Sequence, residues 1–152
     1  MIGPPLEAVA AGIATADFGA DNAVLMGVSA ARLLGAIPRA LAVAIVAVPK
    51  QRAARQLTDR DALVRFVARD TDRLDAELLR TELGRTLVTT PEQTVLDLAH
   101  RPGLGDAETE VPAAIRTLYR RCDPNRLADL AAQQRLRAAL RRAAAIAGQP
   151  CP

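Results

Sequence analysis

At Pro91 the apolar pattern of the chain changes period. Upstream lie short runs rich in Val and Ile, some alternating and one continuous, as strands do. Downstream, apolar residues recur every three or four positions, as amphipathic helices do. A chain that groups its strands in the middle and its helices at the end folds as an α/β (α+β) domain. The pattern predicts a small central mixed sheet of about four strands, preceded by a short helix and followed by a C-terminal helical half.

Local signals place the elements. Residues 6–16, behind Pro4 and Pro5, have helical character. Ser29 is read as the N-cap of a short helix through Leu34, closed by Gly35 in a left-handed C′ position with Pro38 beyond. "ALAVAIVAVP" at 40–49 predicts a buried central strand, and "ALVRFVARD" at 62–70 a second. Between them, "KQRAARQLTDRD" reads as a connection or short surface helix. Leu78–Leu83 and Thr86–Thr89 are expected to form a hairpin about Gly84-Arg85. "GLGDAETE" at 103–110 reads as an ordinary loop. Val111, Ile115, Leu118 and Cys122 form a helical stripe, and Asp123-Pro124 an N-cap and N1 pair. Leu136, Leu140, Ala143 and Ala147 share the inner face of a last helix capped by Gly148. The expected division is a helix or linker at 1–23, one domain at 24–148, and a disordered tail at 149–152.

Composition excludes several classes. Aromatic residues make up 2% of the 152, with no Trp, so the chain lacks the stacking platforms of a single-strand nucleic-acid reader. Cys122 and Cys151 show no metal-ligand spacing, and neither a disulfide framework nor a metal site is expected. The longest uncharged apolar run, residues 40–48, is too short to span a membrane, and the N-terminus has no basic signal region. A cytoplasmic location is expected. Charge is uneven: residues 111–148 carry eight arginines against Asp123 and Asp129, whereas the net charge of the whole chain is +3. Such a basic end attracts acidic partners.

The stretch "VTTPEQTVLDLAH" at 88–100 holds most of the residues that suggest chemistry. Thr90 and Gln93 fit a capping box, with Pro91 at N1 and Glu92 in the first turn. Asp97, flanked by Val95, Leu96 and Leu98, is predicted to be buried and paired with an arginine from the hairpin or from the Ser29 helix. His100, the only histidine, reads as a basic residue at a helix C-terminus, and no nucleophile elbow accompanies it. Phosphate loops of either glycine-rich type are missing from the sequence. No catalytic, cofactor-binding or metal-binding set is predicted.

"VSAARLLGA" (28–36), a Val-rich strand ending in Val-Pro, then "LVTTPEQTVLDLA" (87–99) and further helices, resembles the C-terminal domain of the AbiEi family of antitoxins from bacterial type IV toxin–antitoxin systems. The resemblance spans residues 24 to 147 and implies that Ser29, Gly35, Thr90, Pro91, Glu92 and Asp97 are structural motif residues. It implies a non-enzymatic antitoxin, without a cofactor, whose partner is a cognate AbiEii-like nucleotidyltransferase toxin. Binding is expected through Arg116, Arg120, Arg121, Arg137 and Arg141. Family members usually carry an N-terminal winged helix-turn-helix, and residues 1–23 do not supply one, so operator binding is not expected. The alternatives are a truncated DNA-binding regulator and an indirect antitoxin that promotes modification of the toxin.

Overall fold

The computed structural model describes residues 3–81 and 83–152. Met1 and Ile2 of the expected N-terminal segment, and Glu82 of the expected hairpin, lie outside the described residues. The helices are α1 (Leu6–Phe18), α2 (Gly27–Leu33), α3 (Pro91–His100), α4 (Val111–Tyr119), α5 (Pro124–Gln134) and α6 (Arg137–Ala147). The strands are β1 (Val24–Leu25), β2 (Val43–Val48), β3 (Arg55–Gln56), β4 (Leu63–Ala68), β5 (Ala76–Thr81) and β6 (Gly84–Thr89).

The fold class is as the periodicity predicts, with a larger sheet. Six strands form one mixed sheet in the order β3-β4-β2-β1-β6-β5. The two additional strands, β1 and β3, are two residues long, too short to show any alternation. β3 lies within the charged segment 50–61 and pairs antiparallel with β4, so that segment is a connection with a strand rather than a helix. β2 runs parallel to β4 and antiparallel to β1, and all six of its residues are buried. This explains its unbroken apolar run: a strand covered on both faces has no solvent side to mark with polar residues.

Two cores follow from the two sheet faces. On one, Val24, Val43, Ile45 and Ala47 meet Val95, Leu96 and Leu98 of α3, with Ile115, Leu118 and Leu140 behind. On the other, Leu25, Val46, Val64, Phe66 and Val88 are covered by Leu6, Ala10, Ala11 and Ala14 of α1. Alanines on α1 let the helix lie close to the sheet, and Glu7, buried in α1, is tied to Arg32 of α2 at 3.1 Å. Burial raises the Glu7 carboxyl above its ordinary range, and Arg32 opposes the rise.

Three local expectations are corrected. Ser29 is not an N-cap. The helix begins two residues earlier, after Met26, and the Ser29 hydroxyl accepts the Ile45 N–H at 2.8 Å. β1 ends at Leu25, so Ser29 supplies the acceptor that a longer strand would have provided to β2. In the hairpin Thr81 stands opposite Gly84 and Arg80 opposite Arg85, so Gly84-Arg85 belong to the strand β6 rather than to the turn. Gly84, at φ +118, opens β6 in a conformation that suits glycine. The 103–110 loop is not wholly superficial: Gly105 is buried, at φ +98, and a Cβ there would lie 2.6 Å from Val28 Cγ2. Gly35 fits its predicted place. Its φ is +82, and the Ala36 and Gly35 N–H groups donate to Ala31 and Arg32 carbonyls at 2.8 and 3.0 Å, closing α2 as a Schellman motif.

Candidate functional site

α3 sits at the centre of the helical layer, against α2, α4, α5 and α6. Every residue from Glu92 to Ala99 is buried, so its polar side chains cannot face water and must find protein partners. Thr90 caps the helix as predicted, accepting the Gln93 N–H at 3.3 Å. The reciprocal half of the capping box is absent. Gln93 reaches away from the cap: its Oε1 accepts the Asp75 N–H at 3.1 Å and its Nε2 donates to Asp97 Oδ1 at 3.1 Å. Its amide also pairs in both directions with that of Gln134, at 2.9 and 2.7 Å.

The other motif residues are likewise tertiary connectors. Glu92 Oε2 accepts the N–H of Asp123, the N-cap of α5, at 2.8 Å. The Thr94 and Thr89 hydroxyls share a bond of 2.7 Å between α3 and β6. Pro91 occupies N1 and Leu96 is core. Asp97 is buried and paired with an arginine, as its apolar neighbours predict, yet the partner is neither in the hairpin nor on α2. It is Arg69, just past β4, whose Nη1 lies 3.3 Å from Asp97 Oδ1. Parallel pairing of β2 with β4 carries Arg69 over the sheet face that α3 covers, a placement no local signal encodes.

Electrostatics divide this network in two. Among the described residues Asp97 Oδ2 has no hydrogen-bond partner, and burial raises the Asp97 carboxyl above its ordinary range against the opposing pull of Arg69 and Gln93. Asp75 moves the other way: hydrogen bonds from Arg126, and then from Thr90, hold it below the usual carboxylate range despite some desolvation. Cys122 is no nucleophile in this setting. Burial, aided by the Glu92 charge, pushes its thiol up to about 12, and Sγ–H donates to the Leu118 carbonyl at 3.3 Å.

Among the described residues no group of three or more His, Cys, Asp and Glu side chains is placed to hold a metal ion. The model of the AbiEi antitoxin C-terminal domain matches residues 22–147. The chain belongs to the AbiEi antitoxin family. A comparison with curated proteins found no match. An AbiEi antitoxin acts within a toxin–antitoxin pair, so this domain has a toxin partner, and the family is one of antitoxins rather than of known enzymes. Among the described residues no helix is long and apolar enough to cross a membrane.

The five arginines expected at the toxin surface of this AbiEi domain are all exposed. Arg116 lies in α4, Arg120 and Arg121 at its end, and Arg137 and Arg141 in α6. Arg137 and Arg141, one turn apart, line one cavity with Cys151 and Pro152, so the tail folds back beside them. Arg121 is differently engaged: its Nη1 donates to the Leu34 carbonyl at 2.7 Å and closes the end of α2. Arg116, Arg120, Arg137 and Arg141 have no acidic partner among the described residues.

Proposed function

We propose that this AbiEi domain neutralises a cognate AbiEii-like nucleotidyltransferase toxin by binding it directly, with the exposed arginines of α4 and α6 as its contact groups. The observation that carries this reading is that Arg116, Arg120, Arg137 and Arg141 are exposed and, among the described residues, free of acidic partners. A nucleotidyltransferase holds its metal with carboxylates, and a surface of uncompensated guanidinium groups complements such a cleft in charge. Arg121 contributes by closing α2 through its bond to the Leu34 carbonyl.

Co-expression with the product of the adjacent gene, followed by co-purification and a growth assay, tests the pairing. Reversing charge at Arg116, Arg120, Arg137 and Arg141 together should weaken the complex by roughly tenfold or more and abolish rescue from the toxin. Full rescue by a folded charge-reversed variant would remove α4 and α6 from the interface.

A further inference from the structure

A second group of arginines converges elsewhere, around the turn between α5 and α6. Arg69 just past β4, Arg73 in the 3-10 turn that follows, and Arg135 after α5 line one cavity of about 350 Å³ together with Gln133, Gln134 and Asp70. Among the described residues, Arg73 and Arg135 have no ion-pair partner, and Asp70 engages none of the three. The adjoining cavity, which shares Arg73 and Gln133, is lined by Asp72, Asp75 and Asp129, with Asp75 already bound to Arg126. With Arg69 paired to Asp97, the positive charge of the first cavity comes from Arg73 and Arg135 and is opposed within it only by the Asp70 carboxylate, while three acids line its neighbour.

Two features distinguish this cluster from an ordinary solvated surface. The first is positioning from beneath. Arg69 is anchored to Asp97 through one terminal nitrogen, leaving its remaining N–H groups available. Gln134 is held by the amide pair with Gln93 and donates to the Arg73 carbonyl at 3.1 Å. The buried polar residues of α3 thus set the orientation of two cavity-lining side chains and one segment of backbone.

The second is strain. Arg135, the C-cap of α5, sits in the left-handed region at φ 59 and ψ 43. The next helix fills the same kind of position with Gly148, at φ 68. A non-glycine residue in this conformation costs about 1–2 kcal/mol, so the arginine stands where glycine would fold more readily. Strain of this kind clusters at ligand sites.

We propose that this cavity binds a phosphate dianion, either free or as the monoester of a nucleotide. Arg73, Arg135, the unbonded edge of Arg69 and the Gln133 amide suit a tetrahedral group with several acceptor oxygens and a double charge, whereas a carboxylate engages one guanidinium fork at a time; Gln134, whose two N–H groups are spent on the Arg73 carbonyl and Gln93, positions the wall rather than the ligand. The site is separate from the arginines of the proposed toxin surface, since Arg137 and Arg141 line a different cavity. It does not depend on that reading.

The full chain would be titrated at constant ionic strength with inorganic phosphate and with a nucleoside 5′-monophosphate, followed by calorimetry and by the shift in Tm. Saturable binding of either probe is expected. Tighter binding of the nucleotide would identify a nucleotide source, and equal binding a free phosphate source. Arg73→Gln and Arg135→Gly should each weaken binding about tenfold, in keeping with one lost charge-assisted hydrogen bond. Arg135→Gly should leave Tm unchanged or raised, because glycine relieves the left-handed strain. The proposal is overturned if neither probe saturates by about 20 mM, where binding would be too weak to be specific. It is equally overturned if a chain carrying both Arg73→Gln and Arg135→Gly binds undiminished, or if chloride at matched ionic strength reproduces the effect.

Discussion

Asp97 and Arg69 form a pair in which the two partners differ in exposure: the Asp97 side chain is 3% exposed and that of Arg69 26%. Because burial raises the Asp97 pKa, the folded chain holds the proton more tightly than the unfolded chain does. Its contribution to stability is therefore most favourable below the unfolded value and declines as pH rises through the folded one. Arg69 offsets that decline. Replacing Arg69 with Met should cost about 3 kcal/mol at pH 7, where a buried carboxylate is left without its cation, and clearly less at pH 5. Urea denaturation at the two pH values measures this; equal losses at both would show that Asp97 does not ionise in the fold. Ser29 makes a second prediction at this scale. Ser29→Ala leaves the buried Ile45 N–H without an acceptor and should lower stability by about 1–3 kcal/mol in the same assay.

For whole elements, legibility followed the range of the interaction that makes them. The ends of α3, α5 and α6 were readable from Thr90, Asp123-Pro124 and Gly148, because capping joins residues within one helical turn. The strands β1 and β3 were not, since two residues carry no period and their existence depends on neighbours brought from elsewhere. The same holds for the polar face of α3. Glu92, Gln93 and Thr94 look like the solvated first turn of a surface helix, and become tertiary connectors only because helices pack around α3 on all sides. The loop after α3 looks unremarkable in sequence, yet Gly105 lies against Val28 and Ile45. Gly105→Ala combines a left-handed backbone with a 2.6 Å approach to Val28 Cγ2, and should cost roughly 2–4 kcal/mol. A melting temperature equal to that of the parent chain would mean that the loop can move off the sheet freely.

Across the molecule, arginine has several different tasks, among them part-exposed ion pairs such as Arg39 with Glu110 and Arg126 with Asp75. Arg32 and Arg69 neutralise buried carboxylates, while Arg121 and Arg142 close helix ends by donating to the Leu34 and Ala99 carbonyls. A further group is exposed and, among the described residues, without acidic partners; it includes Arg116, Arg120, Arg137 and Arg141 on α4 and α6, Arg73 and Arg135 near the α5–α6 turn, and Arg55, Arg65, Arg80, Arg85 and Arg101 elsewhere. The surplus of positive charge visible in the C-terminal part of the sequence is therefore not one uniform field. The charge-reversal and phosphate experiments address separate surfaces, so failure of either leaves the other standing.

From sequence alone came the α/β class, the central buried strand, most helix ends and the family, because each rests on periodicity, capping or a continuous motif. Tertiary structure alone decided which arginine meets Asp97, what the Ser29 hydroxyl bonds, and which side chains share a cavity. Those contacts join residues 28, 16 and up to 41 positions apart. Their geometry is set by strand order and helix packing, which no short stretch of sequence contains.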